Sequence, residues 1–175
     1  MKKQWNLDLV HSEVSFKIRH MMISNVSGIF QTAQATLLAA NEDFSDAEIS
    51  FEADVNSINT SNAQRDEHLI SADFFDAAQF PKISFKSSSF DKKSEGVYHL
   101  NGELTIRDVT RPISLDVEYT GTVVDPYGQT KAGFEMNGKI SRSEFGLTWS
   151  AVTEAGGVVL GDDVKLIFSI QMVAA

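Results

Sequence analysis

Apolar and polar residues exchange places along most of this chain. Ile113, Leu115, Val117 and Tyr119 alternate with Ser114, Asp116, Glu118 and Thr120, and Ile49, Phe51, Ala53 and Val55 alternate with Ser50, Glu52 and Asp54. A two-residue period sends alternate side chains to opposite faces, so these runs predict half-buried β-strands. Val14, Phe16, Ile18 and His20 give an earlier strand, after a lead-in holding Trp5, Leu7 and Leu9 and a hinge at His11-Ser12-Glu13 that reads as a bulge. A second strand is expected from about Gly28 to Leu38, in unclear phase because Ile29 and Phe30 are both large. Later strands begin at Ile83 and Phe85 and cover Tyr98 to Ile106, Ile113 to Val123, Lys131 to Arg142 and Val164 to Val173. Turn signals stand at Asn41-Glu42-Asp43, Ser94-Glu95-Gly96, Asp108 to Pro112 and Asp125-Pro126-Tyr127-Gly128, and Gly156-Gly157 is expected in a hairpin.

One segment breaks the alternation. From Arg65 to Asp76 the chain is polar and helix-compatible, with Leu69, Phe74 and Phe75 as apolar anchors and Thr60 or Ser61 as the expected N-cap. Pro81 ends it and forces its predecessor into extended geometry. The pattern therefore predicts an all-β fold: an antiparallel barrel of about eight sequential strands with a short helical insert between the early and late strands. Residues 1–175 form one domain. Barrels of this kind often hold small apolar ligands.

Composition narrows the partners. The 42% hydrophobic and 22% charged fractions suit a soluble globular chain, and its twelve phenylalanines exceed what disorder tolerates. The net charge of −9 repels nucleic-acid backbone and anionic membrane, and the fifteen basic residues form no stripe. Nucleic acid is not an expected partner, nor is stable membrane insertion, because no apolar run is long enough to span a bilayer. The absence of cysteine fits a reducing compartment. Gln4, Asn6, Asp8 and His11 fall where a signal peptide needs its apolar core, so a cytoplasmic location is expected, or a periplasmic one if a leader has been replaced.

The chain also carries an ordered set of motifs: Trp5-Asn6-Leu7-Asp8, His11-Ser12, Phe16, His20 and Val26-Ser27-Gly28-Ile29-Phe30, then Arg65-Asp66, His68-Leu69, Asp73-Phe74-Phe75-Asp76 and Pro81-Lys82-Ile83-Ser84-Phe85. Gly102-Glu103-Leu104-Thr105-Ile106, Thr110-Arg111-Pro112, Ser141-Arg142-Ser143-Glu144-Phe145-Gly146 and Gly161-Asp162-Asp163-Val164 follow. In this order they resemble the YceI-like family, lipocalin-like proteins associated with polyisoprenoids and related long-chain lipids. The resemblance covers nearly the whole chain. It implies an elongated barrel with an apolar tunnel partly lined by the insert, no established enzymatic activity, no cofactor, and a long-chain isoprenoid or related lipid as partner. It also allows a homodimer.

Candidate residues follow from phase and resemblance together. Phe16, Ile18, Phe30, Phe51, Phe85, Leu104, Leu115, Phe134, Met136 and Phe168 either fill a core or line a tunnel; composition favours the core, and the resemblance shifts at least half of the aromatics to the tunnel. Ala53, Ser87, Gly102, Gly121 and Gly138 share the inner phases and would leave space beside them. Leu69, Phe74 and Phe75 either close one end or dock the insert. His20, in phase with Phe16 and Ile18, either meets a headgroup or is a satisfied core histidine. Arg142 either receives an anionic headgroup through its planar paired donors or pairs with Asp66 or Asp73. Catalytic signals are thin: the four histidines lack metal-ligand spacing, and Asp66, Glu67 and His68 cannot share a helix face. The leading expectation is a non-enzymatic lipid carrier or reservoir. A solid barrel acting through protein contacts is the rival, and an enzyme using an isoprenoid-like substrate the distant third.

Overall fold

The computed structural model describes residues 1–21, 23–149 and 160–175. Gly156 and Gly157 lie outside them. In chain order the strands are β1 (Lys3–Leu7), β2 (Glu13–His20), β3 (Ser24–Phe30), β4 (Ala33–Ala39), β5 (Glu48–Asp54) and β6 (Ile58–Asn59). The helix α1 (Ala63–Ile70) follows, then β7 (Lys82–Ser94), β8 (Val97–Ile106), β9 (Val109–Val124), β10 (Thr130–Ser141) and β11 (Leu160–Ala174). Every pairing is antiparallel, and β1, β4, β5, β7, β8, β9, β10 and β11 close into an eight-stranded barrel through the β1–β11 pair. The upper half of β11 pairs β1 (Leu7 with Met172) and its lower half pairs β2 (Phe16 with Leu166). Thus β1 and β2 act as one long strand broken in the middle, and β3 with β4 is its neighbour, broken likewise.

These breaks correct the expected boundaries. The hinge after β1 is a turn of 3-10 helix at Leu9–His11 rather than a bulge, with the Asp8 carboxylate held 2.8 Å from His11 Nδ1. The expected second strand is two, split at Gln31-Thr32. Phe30 and Ala35 both line the interior although they lie five positions apart, an offset that puts residues of an unbroken strand on opposite faces; the two-residue break resets the phase, which is why the sequence reads ambiguously there. The β8–β9 turn is tighter than expected, with Ile106 opposite Val109 and Arg107 at φ 57°. Pro112 lies inside β9 on the stretch that β10 does not reach, an unpaired edge where proline is tolerated.

The inner glycines do not leave an open tube. A Cβ on Gly102 would lie 2.4 Å from both the Lys86 carbonyl oxygen and the Phe85 ring, and one on Gly138 would lie 2.2 Å from Leu115 Cδ2. Each glycine is the floor on which a neighbouring strand's side chain lies. Gly121 sits at a break in the β9–β10 register with φ 132° and borders an outer groove beside Tyr127 instead of the barrel interior.

The two ends of the barrel are built differently. At the upper end the β4–β5 loop folds inward and buries Phe44, which is 3% exposed and holds a left-handed φ of 60°. Its ring meets Trp5, Tyr119 and Phe134 edge-on at centroid distances of 5.4, 5.4 and 5.3 Å. Asp46 fixes the loop by accepting from the Ala40 and Asn41 N–H groups at 2.8 and 3.0 Å, and the Tyr98 hydroxyl donates to the Asp43 carbonyl. At the lower end β6 is a stub that, among the described residues, pairs only with β3, and the insert occupies the chain between β6 and β7.

Candidate functional site

The insert begins at Asn62, whose side chain accepts the Arg65 N–H at 3.0 Å, so the N-cap is Asn62 and not Thr60 or Ser61. Thr60 is buried and has another task. Its N–H and hydroxyl donate to Asp66 Oδ1 at 2.9 and 2.6 Å, while its hydroxyl and carbonyl oxygens accept from Arg65 Nε and Nη2 at 2.7 and 2.6 Å. This network fixes the helix against β6 and turns the Leu69 side towards the barrel. After the helix, Phe75 N–H donates to the Leu69 carbonyl at 3.0 Å and Ala77 N–H to that of Ile70 at 2.9 Å, which brings Phe74 and Phe75 to the same side.

Two aromatic clusters dock the insert. Phe75 meets Phe30 edge-on at 6.3 Å, and Phe30 leans on Phe16 at 5.7 Å. Across the mouth, His68, Phe74 and Trp149 form a triangle with centroid separations of 5.1, 5.3 and 4.6 Å. His68 Nε2 also lies 2.8 Å from Asp73 Oδ2. The roof is therefore tied to β2 and β3 on one side and to the segment after β10 on the other.

Beneath it lies a lower chamber of about 260 Å³. Phe16, Ile18, His20, Phe30, Phe51, Leu69, Phe74, Phe75, Leu104, Arg142 and Phe168 all line it. An upper chamber of about 90 Å³ is lined by Phe85, Leu115, Phe134 and Met136 together with Phe51, Leu104 and Phe168. The chambers share the wall formed by Val14, Phe51, Leu104, Leu166 and Phe168, where the Phe51 and Phe168 rings stack at 6.5 Å. Each residue picked from phase and resemblance thus faces one of the two chambers. Val14, Val164 and Leu166 line them too and share the phases of Phe16 and Phe168, so strand periodicity alone could have added them. Arg65, His68 and Trp149 line the lower chamber with no periodic signal to mark them.

Arg142 is 7% exposed, and its donors go to backbone. Nε donates to the Gly161 carbonyl at 2.8 Å, and Nη1 to those of Leu147 and Trp149, both at 2.7 Å. The expected insert partners are engaged elsewhere, Asp66 with Thr60 and Asp73 with His68. The carboxylate near Arg142 is Asp162. Burial pushes the guanidinium pKa below its ordinary value, and the Asp162 charge opposes that shift. Asp162 in turn is held below the usual carboxylate range, chiefly by the Ser141 hydroxyl and also by Ser143, whose N–H donates to it at 3.0 Å. Arg142 clamps the end of β10 to the start of β11 and presents the rest of its surface to the chamber.

Residues 5–172 match the YceI-like domain. The chain belongs to the YceI-like family. It is 35% identical over 162 residues to UPF0312 proteins of Staphylococcus aureus, covering 92% of each chain. The crystal structure of the Campylobacter jejuni YceI protein is 34% identical, covers 95% of each chain and superposes with a TM-score of 0.75. Two more distant structures share the fold. Burkholderia cenocepacia BcnA has a TM-score of 0.82 at 21% identity, covering 94% of this chain and 98% of its own. A Saccharophagus degradans domain described as polyisoprenoid binding has 0.70 at 15%, covering 98% of each. The overall fold of this YceI-like chain is therefore shared with these solved structures.

Proposed function

We propose that this protein binds one long apolar chain, a polyisoprenoid, a quinone tail or a fatty-acid derivative, in the lower chamber and shields it from water without catalysing a reaction. The carrying observation is the chamber itself. At about 260 Å³ it exceeds the cavity of roughly 150 Å³ that stays dry and accepts a benzene ring. Its walls are mostly aliphatic and aromatic carbon. Each buried methylene contributes about 0.8 kcal/mol, so two or three isoprene units gain several kcal/mol before ordering costs. The polyisoprenoid binding described for the Saccharophagus degradans domain supports the same reading on a shared fold. The upper chamber, at about 90 Å³, accepts such a chain only if its walls move, so the packed-barrel alternative describes that half of the molecule.

The test is native mass spectrometry of the protein after incubation with a long-chain prenol, followed by organic extraction. A one-to-one complex that releases unchanged prenol supports binding without turnover. A bare chain at all prenol concentrations contradicts it, and a chemically altered product points to an enzyme.

A further inference from the structure

The side of α1 turned to the lower chamber carries a cation without an ion pair. Arg65, His68 and Leu69 stand three and four positions apart, so they share one helix face, and all three line the chamber. Arg65 is half-buried. Its guanidinium has five N–H donors, of which Thr60 takes two: Nε donates to the hydroxyl at 2.7 Å and Nη2 to the carbonyl at 2.6 Å. Among the described residues Nη1 meets no acceptor, and no carboxylate lies within ion-pair distance of Arg65. The adjacent Asp66 accepts from the Thr60 N–H and hydroxyl through Oδ1, so Thr60 stands between the two charges. Because Thr60 holds the Nε edge of a planar group, the Nη1 edge is left for a ligand.

The chamber wall carries one sign of charge. The ionisable residues on it, among those described, are His20, Arg65, His68 and Arg142, with no aspartate or glutamate. The whole chain, by contrast, has 24 acidic residues against 15 lysines and arginines. A cleft lined by one sign between low-dielectric walls concentrates the opposite charge. The two permanent cations differ in what they have left to offer. Arg142 spends Nε and Nη1 on the carbonyls of Gly161, Leu147 and Trp149, whereas Arg65 keeps Nη1.

We infer that Arg65 receives the anionic head, a carboxylate or a phosphate, of a single-chain lipid whose tail lies in the lower chamber. This rests on the lipid-binding reading and adds the class of headgroup and the residue that meets it. Charge-assisted bonds from Nη1 to an oxyanion are shorter and stronger than those to a neutral hydroxyl. The tail then runs from the insert towards Phe51 and Phe168, on the wall shared with the upper chamber.

The test compares three ligands with one tail, dodecanoate, dodecyl phosphate and dodecanol, by displacement of the uncharged probe N-phenylnaphthylamine. The proteins are wild type, Arg65→Gln, Arg65→Lys and Arg111→Gln, the last removing the same charge from an exposed position on β9. Wild type is expected to bind at least one anion about tenfold or more tightly than the alcohol. Arg111→Gln should keep that preference, Arg65→Lys should keep it in part, and Arg65→Gln should abolish it with alcohol affinity unchanged. The anion that shows the preference identifies the head as carboxylate or phosphate. Where Arg65→Gln does not fold, phenylglyoxal labelling of wild type, read by peptide mass mapping, takes its place: the preferred anion should protect Arg65 and dodecanol should not. Equal affinity for alcohol and both anions in wild type overturns the inference. So does an unchanged preference in Arg65→Gln, an equal loss for all three ligands there, or equal labelling of Arg65 under anion and alcohol. Failure of all three ligands to bind wild type overturns the lipid-binding reading itself, and the inference with it.

Discussion

The two halves of this barrel share strands and alternation but not interiors. The upper half is closed by Phe44 on three aromatic rings and encloses about 90 Å³; the lower half is roofed by the insert and encloses about 260 Å³. The difference originates in strand pairing. Above, β1, β4 and β5 continue the hydrogen-bonded wall round to β7 and β11, so side chains meet from all sides and leave only the smaller cavity. Below, β6 is a two-residue stub paired, among the described residues, to β3 alone, and a helix with a following loop occupies the remaining arc. A segment attached through aromatic rings and a Thr60 network covers space without filling it. The larger cavity thus follows from an interruption of the sheet, not from the choice of small residues along it.

The largest expected effect breaks the closed end. Phe44→Ala removes a ring shared by Trp5, Tyr119 and Phe134, and should cost about 3–5 kcal/mol in denaturant-induced unfolding. Where folding permits, prenol uptake should survive, because Phe44 lines neither chamber. Loss of uptake in a folded variant would show that the two halves are not independent.

A smaller change sharpens the shared wall. Phe51→Trp adds bulk where the chambers meet, opposite Phe168 at 6.5 Å. A chain long enough to press on this wall should bind about tenfold more weakly, equivalent to about two lost methylene contacts, while a short prenol should be affected little. Competitive displacement with prenols of increasing length checks this. Equal losses at every length would place the ligand elsewhere.

The smallest effect concerns pH in the upper half. The Lys131 ammonium, 2.6 Å from Asp8 Oδ2, holds the Asp8 carboxyl below its ordinary value, with burial opposing and His11 assisting. A depressed folded pKa contributes stability that is fully present above the unfolded value of about 3.9 and lost as pH falls through the folded one. Asp8→Asn should therefore lower stability at neutral pH by about 1 kcal/mol or less and converge with wild type in strong acid. Urea unfolding across pH 2 to 7 measures the convergence; parallel curves would mean the pair contributes nothing.

Much of this architecture was legible in the residues, for physical reasons. Strands such as β9 carry an unbroken two-residue period, so Leu115 and Val117 point inward wherever the strand runs straight. The insert was visible because it lacks that period. The features that separate the halves have no such signal. Phe44 sits in a loop at positive φ, and its burial depends on rings supplied by three distant segments. The breaks at Leu9–His11 and Gln31-Thr32 are short phase resets that resemble noise in one sequence. Gly102 and Gly138 read as vacant space, yet Phe85 and Leu115 occupy it, since emptiness depends on the neighbouring strand. Arg142 reads either as a headgroup arginine or as the ion-pair partner of Asp66 or Asp73, and its carbonyl acceptors are invisible there because they arise only when Leu147, Trp149 and Gly161 converge.

The two tryptophans offer the most direct test of the division between chambers, because Trp149 lines the lower one and Trp5 is buried beside Phe44 at the closed end. A long-chain fatty acid brominated along its tail quenches indole fluorescence at close range. Titrated into Trp5→Phe, where Trp149 is the reporter, it should quench strongly and saturably with one site. Titrated into Trp149→Phe, where Trp5 reports, it should quench little at the same occupancy. The reverse order, or equal quenching of both, would contradict a ligand chain held in the lower chamber.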